Sequence, residues 1–157
     1  MHYKLLDWID INKLDWIGLL RNPNAIHLIS EKLEQNIQNI QKFDYNSLSL
    51  NPNAIHLISE AMKQNLEKFN WSCWLSANPN AIHLLERNLE QIDWGWLSLN
   101  PNAIHLISEA LEQNPEKIDW HRLSLNPNAI HLLERNPEKI CWSLLSKNPN
   151  AIHLISE

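Results

Sequence analysis

The stretch Ile118-Asp119-Trp120-His121-Arg122-Leu123-Ser124-Leu125-Asn126-Pro127-Asn128-Ala129-Ile130-His131-Leu132-Leu133 decides the fold, because two readings compete for it. In the first it is two short helices joined at Asn126. In the second, Trp120-x-x-Leu123-x-Leu125-x-x-Asn128-x-Ile130-x-x-Leu133 fits the leucine-rich-repeat frame and would open on a strand. The helical reading has local chemistry at each boundary. Asp119 stands where an N-cap is needed, and Ile118 and Leu123 flank it at the N′ and N4 positions of a hydrophobic staple. Asn126 supplies the second cap, with Pro127 at the first helical position, where no N–H is required. Proline pushes the residue before it out of the helical region, so Asn126 ends one helix and begins the next. Counting at helical pitch from Ala129 puts Ala129, Ile130, Leu132 and Leu133 on one face and His131 on the other.

Working outward, the heptapeptide Asn-Pro-Asn-Ala-Ile-His-Leu recurs without change at Asn22, Asn51, Asn78, Asn100, Asn126 and Asn148, giving spacings of 29, 27, 22, 26 and 22 by subtraction. A short fixed period is the signature of a solenoid. The first helix of each unit, helix A, carries the heptapeptide. The second, helix B, carries an Asp or Asn cap (Asp15, Asp44, Asn70, Asp93, Asp119, with Cys141 the exception) and an aromatic three residues before a Leu. Those pairs, Trp16 with Leu19, Tyr45 with Leu48, Trp94 with Leu97, Trp120 with Leu123 and Trp142 with Leu145, share a helix face and are expected in the core. Helix A gains about one turn where His105-Leu-Ile-Ser-Glu-Ala-Leu-Glu-Gln-Asn replaces His131-Leu-Leu-Glu-Arg-Asn. A further turn is expected across Asn36 to Phe43, and an irregularity where Trp71-Ser72-Cys73-Trp74-Leu75 carries one extra residue.

The leucine-rich frame fails on its sixth position, which must point inward but holds Arg21, Leu50, Ala77, Leu99, Leu125 and Lys147. It would also place Pro just after a central strand and build a parallel sheet without any Val or Thr. In the helical reading the same position precedes helix A, where Leu50, Leu99 and Leu125 can staple to Ile55, Ile104 and Ile130. The expected fold is all-α, an α-solenoid of about six short two-helix repeats. Residues 1–157 form one solenoid: 1–21 a cap or partial repeat, 22–147 five full repeats, and 148–157 a partial sixth. Its last helix A lacks a following helix B, so it is expected to stack on another copy or to be cut from a longer array.

Composition limits function. The 157 residues carry a net charge of −5 with the two signs interleaved, which argues against a phosphate-binding surface and so against nucleic acid. Cys73 and Cys141 lie far apart, without zinc spacing or a disulfide framework. No leader-like or membrane-spanning run appears, which suits a soluble intracellular protein.

The units Trp-x-x-Leu-Ser-x-Asn-Pro-Asn-Ala-Ile-His-Leu-Leu-Glu-Arg-Asn-Pro-Glu-Lys-Ile, with Leu6-Asp7-Trp8-Ile9-Asp10 leading in, resemble the short tandem repeats abundant in giant DNA viruses. The resemblance covers nearly the whole chain. It implies a viral or virus-derived source, hence host cytoplasm or virion, and assigns no chemistry.

No catalytic constellation stands out, and no cofactor is implied. His27, His56, His83, His105, His131 and His153 form an outward row, but one His per repeat without a second ligand at fixed offset does not make a zinc site. Each is expected to face solvent or hydrogen-bond a neighbouring repeat. The second Asn of each copy is expected either to bond backbone in the adjacent repeat as a ladder or to be solvated. Glu86, Glu134 and their neighbours sit on polar faces, and Lys68, Arg87, Lys117, Arg135 and Lys139 suit the negative end of helix A.

Positions that differ between repeats lie on helix B: Ile17-Gly18, Asn46-Ser47, Ser72-Cys73-Trp74, Gly95-Trp96, His121-Arg122 and Ser143-Leu144. Trp and Arg dominate protein interfaces. Trp74, Trp96, His121 and Arg122 are therefore the candidate partner-binding residues, in a non-enzymatic scaffold whose partner is an unidentified protein. The alternative in these residues is packing between repeats. At the level of the whole chain the alternative is a structural protein that oligomerises through its repeat ends.

Overall fold

The computed structural model describes residues 6, 8–10, 13–35, 44–65 and 73–155. Among these the chain is all-α, with no strand. The helix-B elements are α1 (Trp16–Arg21), α3 (Tyr45–Ser49), α5 (Cys73–Ala77), α7 (Trp94–Leu97), α9 (Trp120–Leu125) and α11 (Trp142–Leu145). They alternate with the helix-A elements α2 (Ile26–Gln35), α4 (Ile55–Asn65), α6 (Ile82–Leu85), α8 (Ile104–Gln113), α10 (Ile130–Glu134) and α12 (Ile152–Ile155). The fold is an α-solenoid in which each unit lies against the next, α1 on α3, α3 on α5 and α5 on α7.

Helix B starts as its sequence dictates. Asp15, Asp44, Asp93 and Asp119 accept from the backbone N–H of Ile17, Ser47, Trp96 and Arg122 at 3.1, 3.1, 3.0 and 3.0 Å. The joint to helix A also follows. Asn126 takes extended angles, φ −75° and ψ 116°, and closes α9 by donating its N–H to the Leu123 carbonyl. Its side-chain oxygen accepts from the Asn128 N–H at 3.0 Å. The chain then makes one tight turn through Pro-Asn-Ala, in 3-10 form at Pro23–Ala25, Pro52–Ala54 and Pro79–Ala81, before the α-helix begins at Ile. Helix A therefore starts three residues later than the proline would suggest.

The same Asn residues bind the repeats together. In every interior copy the first Asn is buried, and its Nδ2 donates to two carbonyls of the preceding unit. The acceptors are Leu20 and Asn22 for Asn51, Ser49 and Asn51 for Asn78, and Ser76 and Asn78 for Asn100. Asn126 continues the series onto Ser98 and Asn100, and Asn148 onto Ser124 and Asn126, all within 2.8–3.2 Å. A single amide thus caps its own helix and satisfies backbone in the neighbour. The second Asn forms the expected ladder beside it: Asn53, Asn80, Asn102, Asn128 and Asn150 donate Nδ2 to the carbonyls of Pro23, Pro52, Pro79, Pro101 and Pro127 at 2.8–3.0 Å. That rail is solvent-exposed, so water can replace part of each bond. Asn102→Ala is expected to cost about 1 kcal/mol in urea denaturation, and a neutral result would make the second rail dispensable.

A third rail comes from the Ser that follows the helix-B Leu. Ser98 Oγ donates to the Trp94 carbonyl at 2.8 Å and accepts from the Asp119 N–H of the next unit at 3.2 Å. Ser124 does the same with the Trp120 carbonyl and the Cys141 N–H, and Ser76 accepts from the Asp93 N–H. These serines are almost fully buried.

One apolar cluster runs along the array, built from Ala25, Ala54, Ala81, Ala103, Ala129 and Ala151, the Leu or Ile two residues after His27, His56, His83, His105 and His131, and the helix-B leucines. The aromatic of helix B departs from expectation. Leu48, Leu97, Leu123 and Leu145 are wholly buried, whereas Tyr45, Trp94 and Trp120 are only half-buried and Trp142 is 53% exposed. At the first position of a short helix the ring lies across the rim of the core, where cations reach it: Lys32 Nζ sits 5.4 Å from the Trp16 ring and Lys117 Nζ 5.1 Å from that of Trp94.

The length differences in helix A are as read, with α2, α4 and α8 longer than α6 and α10. The link to helix B is more ordered than a connector, forming 3-10 turns at Leu89–Gln91, Pro115–Lys117 and Pro137–Lys139. Asn88 and Asn136 close the short helices by donating Nδ2 to the Leu84 and Leu132 carbonyls at 2.8 Å. The extra turn expected at 36–43, the irregularity at 71–72, the cap Asn70 and the cation Lys68 lie outside the described residues.

Candidate interaction ridge

Residues with the same position in successive helix-B elements come side by side when the units stack. Trp74 of α5 and Trp96 of α7 do so, with ring centroids 4.5 Å apart and planes tilted by 52°. The next member, Arg122 of α9, lays its guanidinium 4.6 Å from the Trp96 ring centroid. Asp119 fixes that guanidinium, accepting from Arg122 Nη1 at 2.7 Å while its other oxygen caps α9. The result is a stack of ring, ring and guanidinium across three repeats, each member half-buried. Packing between repeats and surface presentation are both realised in the same three side chains.

Gly95 gives the stack its room. A Cβ there would lie 2.9 Å from Arg122 Nη1 and 3.3 Å from Asp93 Oδ1, so any larger residue displaces the guanidinium. His121, the fourth candidate, is exposed on α9, and among the described residues no hydrogen bond, ion pair or ring contact joins it to the other three. Elsewhere the variable positions are structural in part. Ser47 is buried, donates Oγ to Asp44 at 2.8 Å and accepts from Arg21 Nε at 3.3 Å. Burial opposes the Asp44 charge, but the Ser47 hydroxyl and N–H, the Asn46 N–H and the Arg21 charge outweigh it and hold the carboxyl below its ordinary range. Cys141 replaces the acidic cap of α11, and the Ser143 hydroxyl and the Leu144 N–H hold its thiol below the usual value.

The helix-A elements carry the repeated histidines, all six exposed. His105 Nε2 meets Glu86 Oε1 of the preceding repeat at 2.8 Å, and His153 Nε2 meets Glu134 Oε1 of its preceding repeat at 3.3 Å. Both follow a short unit, in which Glu stands right after Leu-Leu. The longer units hold Ser30, Ser59 and Ser108 there, and Ser30 and Ser108 turn back to their own helix at the carbonyls of Ile26 and Ile104. Beside Ser59 an open groove of about 640 Å³ remains, lined by Pro52, Asn53, His56, Glu60, Asn80 and His83. Among the described residues no group of three or more His, Cys, Asp or Glu side chains could hold a metal ion, and no helix is long and apolar enough to cross a membrane.

The Ser rail escaped the sequence reading, although its signal was present: Ser49, Ser76, Ser98, Ser124 and Ser146 all follow the helix-B Leu. No protein-family model matches the chain, and neither a curated protein nor a solved structure matches it.

Proposed function

We propose that the chain is a non-enzymatic interaction scaffold that engages a protein partner through the face bearing Trp74, Trp96, His121 and Arg122, and that it derives from a giant DNA virus, as the repeat resemblance implies. The observation that carries the binding reading is the Trp74–Trp96–Arg122 stack. Its members hold one another in place and Asp119 anchors the end, so little side-chain freedom remains to be lost when a partner docks. The side chains are of the types that form interface anchors. They also stand where the repeats differ, whereas the joints that hold the solenoid together are identical.

Affinity capture from the native source tests this reading, with wild-type, Trp96→Ala and Arg122→Ala chains compared at equal helicity. Trp96→Ala is expected to weaken capture of the partner by roughly 30-fold, the level of an anchor residue. Capture of the same proteins by all three chains would overturn it.

A further inference from the structure

The histidine row is not uniform. Where a short unit comes first, its Glu reaches the histidine of the next unit, Glu86 to His105 at 2.8 Å and Glu134 to His153 at 3.3 Å. Where a long unit comes first, Ser stands in place of that Glu and the following histidine is offered no carboxylate. Among the described units, two joints of the second kind follow in succession at one place. Both α2 and α4 are long, so His56 comes after Ser30 and His83 after Ser59. Among the described residues neither imidazole makes a hydrogen bond or an ion pair. The later long helix, α8, differs, because His105 in its first turn is already engaged by Glu86.

His56 and His83 line one groove, the open space of about 640 Å³ between α4 and α6. Ser59 lines it with them. Its hydroxyl makes no hydrogen bond among the described residues, whereas those of Ser30 and Ser108 donate to carbonyls of their own helices. Asn53 and Asn80 also border the groove, and each commits one amide hydrogen to the ladder and keeps a second. The carboxylate in the wall, Glu60, is paired with Lys63 Nζ at 2.7 Å. The groove therefore offers imidazoles, a hydroxyl and amides, with its own negative charge matched. Two imidazoles without a third ligand do not make a metal site. What such an imidazole takes is displayed elsewhere in the same array, where its counterparts hold carboxylates.

We infer that the groove between α4 and α6 binds an acidic peptide segment of a partner protein. Carboxylates of that segment take on His56 and His83 the places that Glu86 takes on His105 and Glu134 on His153. An open groove suits an extended segment, whereas a small metabolite needs the enclosure of a pocket. The groove is built from helix-A elements and the Trp74–Trp96–Arg122 stack from helix-B elements, so this site does not rest on the ridge.

The test is fluorescence anisotropy with a dye-labelled peptide carrying Glu at alternate positions, beside the same peptide with Gln. The chain has a net charge of −5 and repels an acidic peptide in general, so preference for the Glu peptide has to come from a local site. The Glu peptide is expected to bind at least about tenfold more tightly than the Gln peptide. Ser59→Glu supplies His83 with a carboxylate from within the chain and is expected to weaken binding about tenfold. The double variant His56→Gln with His83→Gln is expected to do the same. His105→Gln should leave binding unchanged, since that imidazole is already engaged. The substituted side chains are exposed or half-buried, so helicity should be kept, and circular dichroism checks it. Trp96→Ala should also leave peptide binding unchanged, which separates this result from that of the ridge. Equal binding of the two peptides, or binding of neither, would overturn the inference. So would Ser59→Glu or the double variant binding as wild type does, His105→Gln losing as much as the double variant, or an oligothymidylate binding more tightly than the Glu peptide.

Discussion

Asn100→Ala is expected to lower the unfolding free energy by about 3 kcal/mol, with the cap contributing about 1 and the stranded carbonyls the rest. Asn100 has no exposed surface, and its amide serves three backbone groups: it accepts from the Asn102 N–H and donates to the carbonyls of Ser76 and Asn78. Of the two carbonyls, Asn78 also accepts from the Ala81 N–H at 3.1 Å, so the larger loss falls on Ser76. Asn22→Ala is the internal control. It alters the same residue of the same heptapeptide, but among the described residues Asn22 makes only the cap bond, so about 1 kcal/mol is expected. Urea denaturation distinguishes them, and equal losses would show that the ladder contributes nothing. The position adds a second readout. Stability in a solenoid is a sum of unit and nearest-neighbour terms, so weakening a central joint should also broaden the transition as the halves uncouple. Asn100→Asp sharpens the test through pH. It keeps the cap oxygen but buries a carboxyl against two carbonyls, which raises its folded-state pKa. A raised pKa means stability present at low pH and lost as pH rises through the folded value, so this variant should be more stable in acid than at neutrality.

What could be read from the sequence was whatever is local. The Asn-Pro joint, the Asp caps of helix B, the inward Ala, Ile and Leu and the outward His are settled by residues within one turn of one another. The second Asn could be suspected of reaching the neighbouring unit because it had no local role left. The first Asn could not, since capping already accounted for it, and its second amide atom finds Ser76 only once two units are set at a definite separation and twist. The same holds for the Ser rail. It holds as well for the stack, where Trp74, Trp96 and Arg122 could be chosen by type and variability, but their contact depends on how far each unit rotates on the last. Glu86 and Glu134 read as solvated charges, yet they meet His105 and His153 because a short helix A sets Glu one position nearer the joint than the Ser-Glu of the longer units.

Leu123→Ala is expected to cost about 3 kcal/mol, within the range of roughly 2–5 for emptying a well-packed core site. The eight tryptophans attract attention first, but the structure ranks the leucine above the aromatic beside it. Leu123, fourth in α9, has no exposed surface and is a member of the shared apolar cluster. The site is closed by units on both sides, so the surroundings cannot collapse into the space the side chain leaves. Trp120 stands at the head of the same helix, half-buried at the rim, and trades part of its apolar contact for water. At the last unit the contrast is at its greatest: Leu145 is as buried as Leu123, while Trp142 is 53% exposed. Trp142→Ala should therefore cost about 1 kcal/mol or less, in proportion to the area it buries. If Trp142→Ala proved as damaging as Leu123→Ala in urea denaturation, the aromatic would have to be carrying core packing that its exposure denies.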